Sequence, residues 1–467
     1  MKALFITLLS TVVSSLAMAQ GTAPSQSTPN PSAVPQTLTL DDAIKAAIER
    51  NYTVRTIANN ARRDQIEVTR SKDNLLPSAS ANGSWQYNYS LQSTDARTSI
   101  VFDKLTGLPT AFTAPAGSHT LSYTGSASFN LYHGGSDVAR INGAEASLDG
   151  SQNTLQWTRQ DIAYNVTKAF INVLRTNELV GAADTTLAEG LAQLRLIRGK
   201  YEAGVVPIGQ VYTQQALVGS DSLGLIQAQN DYENAKADVL FLLNVSPNEY
   251  NNYSFSLAGI DTSIAPAARA AVDMNVANAR LNTVIDNRPD ILAQRQSIQA
   301  TEYAIDNTRG ALLPKLDAVA GIGGSGDNSD LMRVQLNHRL FAGLTLQVPL
   351  FDQMQNRLFI EEQEVDLENQ RIQLEQDVQQ IRSDAAKAVN NLQAASKALD
   401  ATETGLTAAN ESLRLGDERL RVGAGTQVDV IIAEAAAVTA RTNRVNAKYN
   451  YVLAQRQLAY TLGQWKY

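Results

Sequence analysis

Few residue types in this chain could carry chemistry, and their spacing removes most reactions. Among 467 residues there is no cysteine, which excludes disulfides, thiolate metal sites and thiol catalysis. The three histidines, His119, His133 and His338, lie far apart without ligand spacing, which argues against a zinc or haem centre. Serines, aspartates and histidines form no nucleophile motif. The glycine run Gly321-Ile322-Gly323-Gly324-Ser325-Gly326 could cradle a phosphate at a strand end, but neither a Lys-Ser/Thr pair nor a helix follows it. A hairpin loop between strands accounts for it better. The sequence therefore gives no reason to expect a catalytic residue, a metal or a cofactor. One carboxylate has a legible local role: Thr426-Gln427-Val428-Asp429 has the form of a capping box, placing Asp429 at the positive start of a helix.

The elements that must position these residues follow from composition and pattern. With 44% hydrophobic and 18% charged residues the chain is foldable, and 39 Lys+Arg against 46 Asp+Glu leaves no basic excess for a nucleic-acid partner. Lys2, the apolar stretch from Ala3 to Leu16 and Ala17-Met18-Ala19 read as a secretory signal peptide over 1–19. The run is too short to anchor in a bilayer, which takes about 20 apolar residues. Gln20 would then begin the mature chain, offering no thiol for an N-terminal lipid, and the Ser/Thr/Pro/Gln-rich 20–37 reads as a flexible lead-in. No later segment approaches an apolar 18-mer, so any membrane crossing would have to be a β-barrel.

The chain repeats itself. Leu75-Leu76-Pro77 matches Leu312-Leu313-Pro314 at an offset of 237, where Ile44 also meets Leu281 and Ile48 meets Ile285. From residue 129 onward an offset of 219 holds without a gap, pairing Leu131 with Leu350, Lys168 with Lys387, Gly204 with Gly423, Tyr232 with Tyr451 and Leu243 with Leu462. The 18-residue difference marks a lengthened loop in the first copy. Repeat 1 spans 38–250, a connector 251–272 and repeat 2 273–467, each a helix-strand-strand-helix-helix unit.

Strict alternation predicts strands over 78–89 and 120–131, and weaker alternation over 315–323 and 340–350, with loops at about 90–118 and 324–338. The first two are long enough for the roughly 9–11 residues of a tilted membrane strand. Ile141, Leu148, Leu155, Ile162 and Ala169 recur every seven residues. Leu358, Val365 and Ile372, then Ile381, Ala385, Ala388, Leu392, Ala395 and Leu399, form a corresponding seam. No strong breaker interrupts 136–201 or 353–421, so two helical rods of about 100 Å are expected. Shorter helices over 39–74, 207–244 and 427–462 accompany them, and glycine turns at Gly204 and Gly423 reverse the chain at each rod's end. Four strands cannot close a membrane barrel, whose single-chain bacterial forms start at about eight, so several chains must join.

The duplication, the Leu-Leu-Pro before each first strand, Gln347-Val348-Pro349-Leu350-Phe351-Asp352, Asn287-Arg288-Pro289-Asp290 and Arg421-Val422-Gly423-Ala424-Gly425-Thr426 with Val428-Asp429-Val430 resemble the TolC-type outer-membrane efflux proteins. The resemblance covers essentially the whole mature chain. It implies an α+β membrane protein: a homotrimer whose 12-stranded outer-membrane β-barrel continues into a long periplasmic α-helical barrel. It further implies a passive duct, set in outer-membrane lipid and fed by a periplasmic adaptor (membrane fusion) protein and an inner-membrane pump, in tripartite efflux or type I secretion. Asp429 matches an aspartate ringing the family's periplasmic aperture. The second such aspartate is replaced by Ile432, and a closing latch falls at Gly425 and Gln210, so that latch does not carry over. Gly204, Val205, Val422, Gly423 and Ala424 match positions that meet adaptor hairpins, although turn chemistry alone also explains the glycines. The rival reading is an exported coiled-coil structural or adhesin protein, which would need no strands with a lipid-compatible face.

Overall fold

The structure is a computed structural model that describes residues 37–89, 98–102, 109–113, 117–256, 274–328, 330–463 and 465. The signal peptide expected over 1–19, the lead-in apart from residue 37 and residues 257–272 of the connector lie outside the described residues. The first copy contributes β1 (Thr37–Leu38), α1 (Leu40–Arg50), α2 (Tyr52–Asp73), β2 (Ser78–Tyr89), β3 (Thr98–Phe102), β4 (Pro109–Thr113), β5 (Gly117–His133), α3 (Ser136–Glu202) and α4 (Ile208–Leu242). After β6 (Ser254–Phe255), the second contributes α5 (Met274–Val284), α6 (Pro289–Gly310), β7 (Lys315–Asn328), β8 (Asn337–Gln347), α7 (Gln355–Arg421) and α8 (Gln427–Thr461).

Both long helices contain 67 residues and both partners 35. Every end of α7 and α8 lies 219 residues beyond the matching end of α3 and α4, so the duplication sets helix length to the residue. The second rod starts at Gln355 and not at 353, because Gln353 and Met354 are left-handed (φ +59° and +65°). They occupy the register of Gly134 and Gly135, at +62° and +81°. Two left-handed residues thus swing each strand onto its rod. In the second copy Asp352 steadies them, its carboxylate accepting from Met354 N and Asn356 N at 3.1 Å each.

A single helix over 39–74 is not formed; the chain breaks at Asn51. This residue is extended (φ −57°, ψ 132°), its Oδ1 accepts from Thr53 N at 2.9 Å and its Nδ2 donates to Leu242 O at 3.1 Å. It starts α2 as an N-cap while binding the end of α4. At the 237 offset stands Arg288, extended before Pro289 at the start of α6, so both copies break in register.

The deepest line of α3 also differs from expectation. Ala139, Ala146, Gln160, Thr167 and Leu174 are buried, two residues out of phase with Ile141, Leu148 and Leu155, which are half-buried. Small residues let the neighbouring helices approach, and Thr167 satisfies its hydroxyl on Ala163 O at 2.8 Å. Phe170, Val166 and Val173 of α3 pack with Ile44 of α1, Leu240 of α4 and Val452 of α8 in one core. Leu281, Ala388, Val389, Leu399 and Tyr451 form a second in the other copy. Leu358, Val365 and Ile372 of α7 remain 54–62% exposed.

The sheet runs β2-β5-β7-β8, antiparallel throughout. Its register aligns alternation across strands, which keeps like side chains on one face. Ser78, Ser80 and Ser84 face Ser128, Ser126 and Ser122, with hydroxyls 2.7, 3.4 and 2.7 Å apart. Leu340, Ile322, Gly125 and Ala81 form a row on the opposite face. The strand expected over 315–323 runs on to Asn328, so the glycine run is strand and not loop. The cause is crowding: a Cβ on Gly321 would stand 2.7 Å from Phe341 Cζ, and one on Gly324 2.6 Å from the Tyr123 ring. β8 stops at Gln347, short of 350, because Pro349 has no N–H for the ladder. Part of the loop expected at 90–118 is the antiparallel hairpin β3–β4. Every residue of β2 is exposed, and among the described residues β2 and β8 have unpaired outer edges.

Candidate functional site at the helical tips

Both rods end in the same turn. Gly204 has φ +74°, its N–H donates to Tyr201 O at 2.9 Å, and Val205 N–H donates to Lys200 O at 2.9 Å. Gly423 has φ +78°, with Gly423 N–H to Leu420 O at 3.3 Å and Ala424 N–H to Arg419 O at 2.8 Å. This Schellman bonding satisfies the last helical carbonyls and requires a left-handed residue, which is why glycine stands at both positions. Around the glycines the side chains are interchanged: Ala203 and Val205 flank Gly204, while Val422 and Ala424 flank Gly423. Val205 and Val422 are each about 70% exposed, so each tip presents an uncovered valine beside its glycine.

The two return helices start differently. At α8, Asp429 Oδ2 accepts from Thr426 N at 2.9 Å and from Thr426 Oγ1 at 2.7 Å, while Asp429 N donates to Thr426 Oγ1 at 3.2 Å. This is the complete capping box. The hydroxyl and backbone bonds from Thr426 hold the Asp429 carboxyl below its ordinary range, so it remains an exposed anion. At the same register α4 has Pro207 and Gln210, with no side-chain cap. Gln210 is half-buried, and Ile432 is exposed one turn beyond Asp429. Gly425 is half-buried, and a Cβ there would stand 3.0 Å from Arg419 Cβ. The fold thus brings Gly423, Gly425 and Asp429 into one tip and Gly204, Val205 and Gln210 into the other. No hydrogen bond or ion pair joins the two tips among the described residues.

The hairpins meet farther up, between α3 and α8. Arg441 pairs with Glu189 at 2.9 Å, Lys448 with Glu178 at 2.7 Å, and Tyr449 Oη donates to Glu178 Oε2 at 2.9 Å. Burial and then Glu178 push the Tyr449 hydroxyl well above its ordinary value, so it stays a donor. Beyond them, buried Arg288 donates to both oxygens of Asp290 (3.1 and 2.8 Å) and to Thr461 O (2.7 Å), and lies 4.9 Å over the Trp157 ring. A cation therefore closes the negative end of α8. Sequence reasoning gave the residues of this seam no structural role, although Arg288 and Asp290 stood in a quoted motif. Their partners across the seam lie 173 to 271 positions away, and only the Asn287-Arg288-Pro289-Asp290 motif drew notice to Arg288. Chemically, the tips offer exposed carboxylates, among them Asp429, and uncovered apolar side chains led by Val205 and Val422.

Several solved structures share this fold. The outer membrane protein VceC of Vibrio cholerae superimposes with a TM-score of 0.72 at 16% identity, covering 91% of this chain and 96% of that one. The CmeC outer membrane channel of Campylobacter jejuni gives 0.71 at 15%, covering 91% and 85%. The MtrE outer membrane channel of Neisseria gonorrhoeae, in its open state, gives 0.68 at 19%, covering 91% and 88%. No curated protein sequence matches. The family model described as outer membrane efflux protein matches residues 43–245 and 281–464, one segment for each copy. With the duplicated rods and the open four-stranded sheet, that match over most of its length shows that the chain belongs to the outer membrane efflux protein family.

Proposed function

We propose that three copies of this chain join into a passive outer-membrane duct, a 12-stranded barrel continuing into a helical tunnel that projects into the periplasm. The observation that carries this reading is the sheet: four strands, two unpaired edges, one polar and one apolar face, and no core of its own. In a bilayer every edge must be paired, and edge-to-edge closure of copies does so. Trp85, Tyr87 and Tyr89 at one end of the apolar face, and Phe129 and Tyr132 at the other, suit the two aromatic girdles of such barrels. The exposed Leu358, Val365 and Ile372 give α7 a heptad stripe for a neighbouring copy.

In this reading Asp429 from each copy rings the tunnel's narrow end and attracts cations, with Ile432 an apolar collar beside it. Val205 and Val422, presented by Gly204, Gly423 and Ala424, dock the hairpins of a periplasmic adaptor protein, and an inner-membrane pump delivers the substrate. The protein thus serves a tripartite efflux or type I secretion system and catalyses no reaction. Membrane fractionation followed by size analysis in detergent tests this. An outer-membrane trimer is expected, and a soluble periplasmic monomer would overturn it.

A further inference from the structure

The repeat register separates residues shared by both copies from those peculiar to one. At the seam between the α3–α4 and α7–α8 hairpins, four carboxylates come from four helices: Glu189 on α3, Asp221 on α4, Asp417 on α7 and Glu434 on α8. Their counterparts at the 219 offset are Ala408, Ala440, Arg198 and Gln215. None of the four acids is repeated at the matching position of the other copy.

Two buried oxygens here lack a donor. Gln214 is 1% exposed; its Nε2 reaches Gly190 O at 3.5 Å, while its Oε1 has no partner. Asp221, two turns on along the same face of α4, also reaches Gly190: its Oδ2 is buried and unpartnered, 2.8 Å from where a Cβ on Gly190 would stand. The glycine makes the room, and its counterpart in the other copy is Ala409. A proton on Asp221 removes the charge from this buried, unpartnered oxygen. Among the described residues no group of Asp, Glu or His has the geometry to hold a metal ion instead.

The charged surroundings disfavour ionisation. A cavity of about 340 Å³ beside Asp221 is lined by Asp231 of α4 and Arg441 of α8. Arg441 is the cation there, and it is already paired with Glu189 of α3. From α7 come Asp417 and, behind it, Glu418; from α8 comes Glu434. Burial raises the carboxyl of Asp221, and burial followed by the neighbouring carboxylates raises those of Asp417 and Glu434.

We propose that this seam is a proton-sensitive lock, in which protonation of Asp221 and Glu434 draws the two hairpins together and ionisation loosens them. The sign follows from linkage: groups that bind protons more readily when packed stabilise packing below the ordinary carboxylate range, and lose that stabilisation as pH rises through their raised values. Any consequence for the aperture rests on the duct reading above; the helix movement does not.

The absence of cysteine allows a clean spin-label pair at exposed positions, Ala192→Cys on α3 and Ala435→Cys on α8. Distances are measured in the full chain in detergent, diluted with unlabelled chain, at about pH 8 and again at about pH 4, the ordinary carboxylate range. The distance is expected to shift shorter at the lower pH. Combining Asp221→Asn with Glu434→Gln should give the short distance at both. A distance that ignores pH in the parent, or a shift of equal size in the double variant, would overturn the lock. Should the double variant fail to assemble, Glu434→Gln alone decides, with a reduced shift expected and an undiminished one fatal. A pH-dependent shift in a protein that forms no channel in planar bilayers would remove the duct reading and leave the lock standing.

Discussion

Asp429 caps a helix, and in the proposed duct the same atoms would attract cations. Its Oδ2 is bonded by Thr426, which fixes the carboxylate at the helix start and keeps it charged. Because its carboxyl is held low, the anion persists above the ordinary carboxylate range and is lost only as pH falls below it. Cation block of single-channel current is therefore expected to hold from neutral to mildly acidic pH. It should weaken sharply in Asp429→Ala, as read in planar bilayers. Equal block in the variant would remove the role assigned to Asp429. Gly204 and Gly423 act differently, through backbone alone. With φ near +75° and open space about them, alanine at either costs about 1 kcal/mol of tip stability without a clash. Faster amide exchange confined to the affected tip is the expected signature.

The junctions carry the asymmetry between copies at the scale of elements. Gly134 and Gly135 turn β5 onto α3 without strain, whereas Gln353 and Met354 make the same turn before α7 with side chains that disfavour it. Gln353→Gly is expected to stabilise by about 1 kcal/mol, since a left-handed non-glycine residue costs roughly 1–2. Thermal unfolding of the trimer reads this, and a lowered midpoint would count against the strain. Arg288 is the converse case. Arg288→Ala strips the ion pair from Asp290, which keeps only its bond from Ile291 N, and uncovers the end of α8, and about 3 kcal/mol should be lost, read by the same thermal unfolding. The rods, the four strands and the glycine turns were legible because heptads, alternation and left-handed glycines are local signals. The break at Asn51 escaped because an N-cap side chain inside an apolar pattern resembles any helical polar residue. The buried line through Ala139, Gln160 and Thr167 escaped because hydrophobicity points to Leu148 and Leu155. The glycine run resembled a loop because the crowding by Phe341 and Tyr123 exists only once the strands are paired.

For the whole molecule, what matters is that the sheet has two exposed faces of opposite character. Leu340 lies in the row with Ile322, Gly125 and Ala81, near the middle of the apolar face, while Thr345 pairs with Asp317 on the polar face. In a barrel the first row meets lipid and the second meets water. An arginine on the lipid side near the bilayer midplane costs about 2–4 kcal/mol, and one facing a wet lumen costs little. Leu340→Arg is therefore expected to lower the amount of folded trimer in the outer membrane, whereas Thr345→Arg should assemble normally and alter only ion preference. A soluble sheet assembled from several chains around an apolar interior would also reject Leu340→Arg, so the amount assembled does not by itself separate the two. The deciding measurement is accessibility. A cysteine at Leu340 should be shielded from a membrane-impermeant thiol reagent in the intact membrane, and one at Thr345 should react. The reverse pattern would place the serine-lined face against lipid and dismantle the duct.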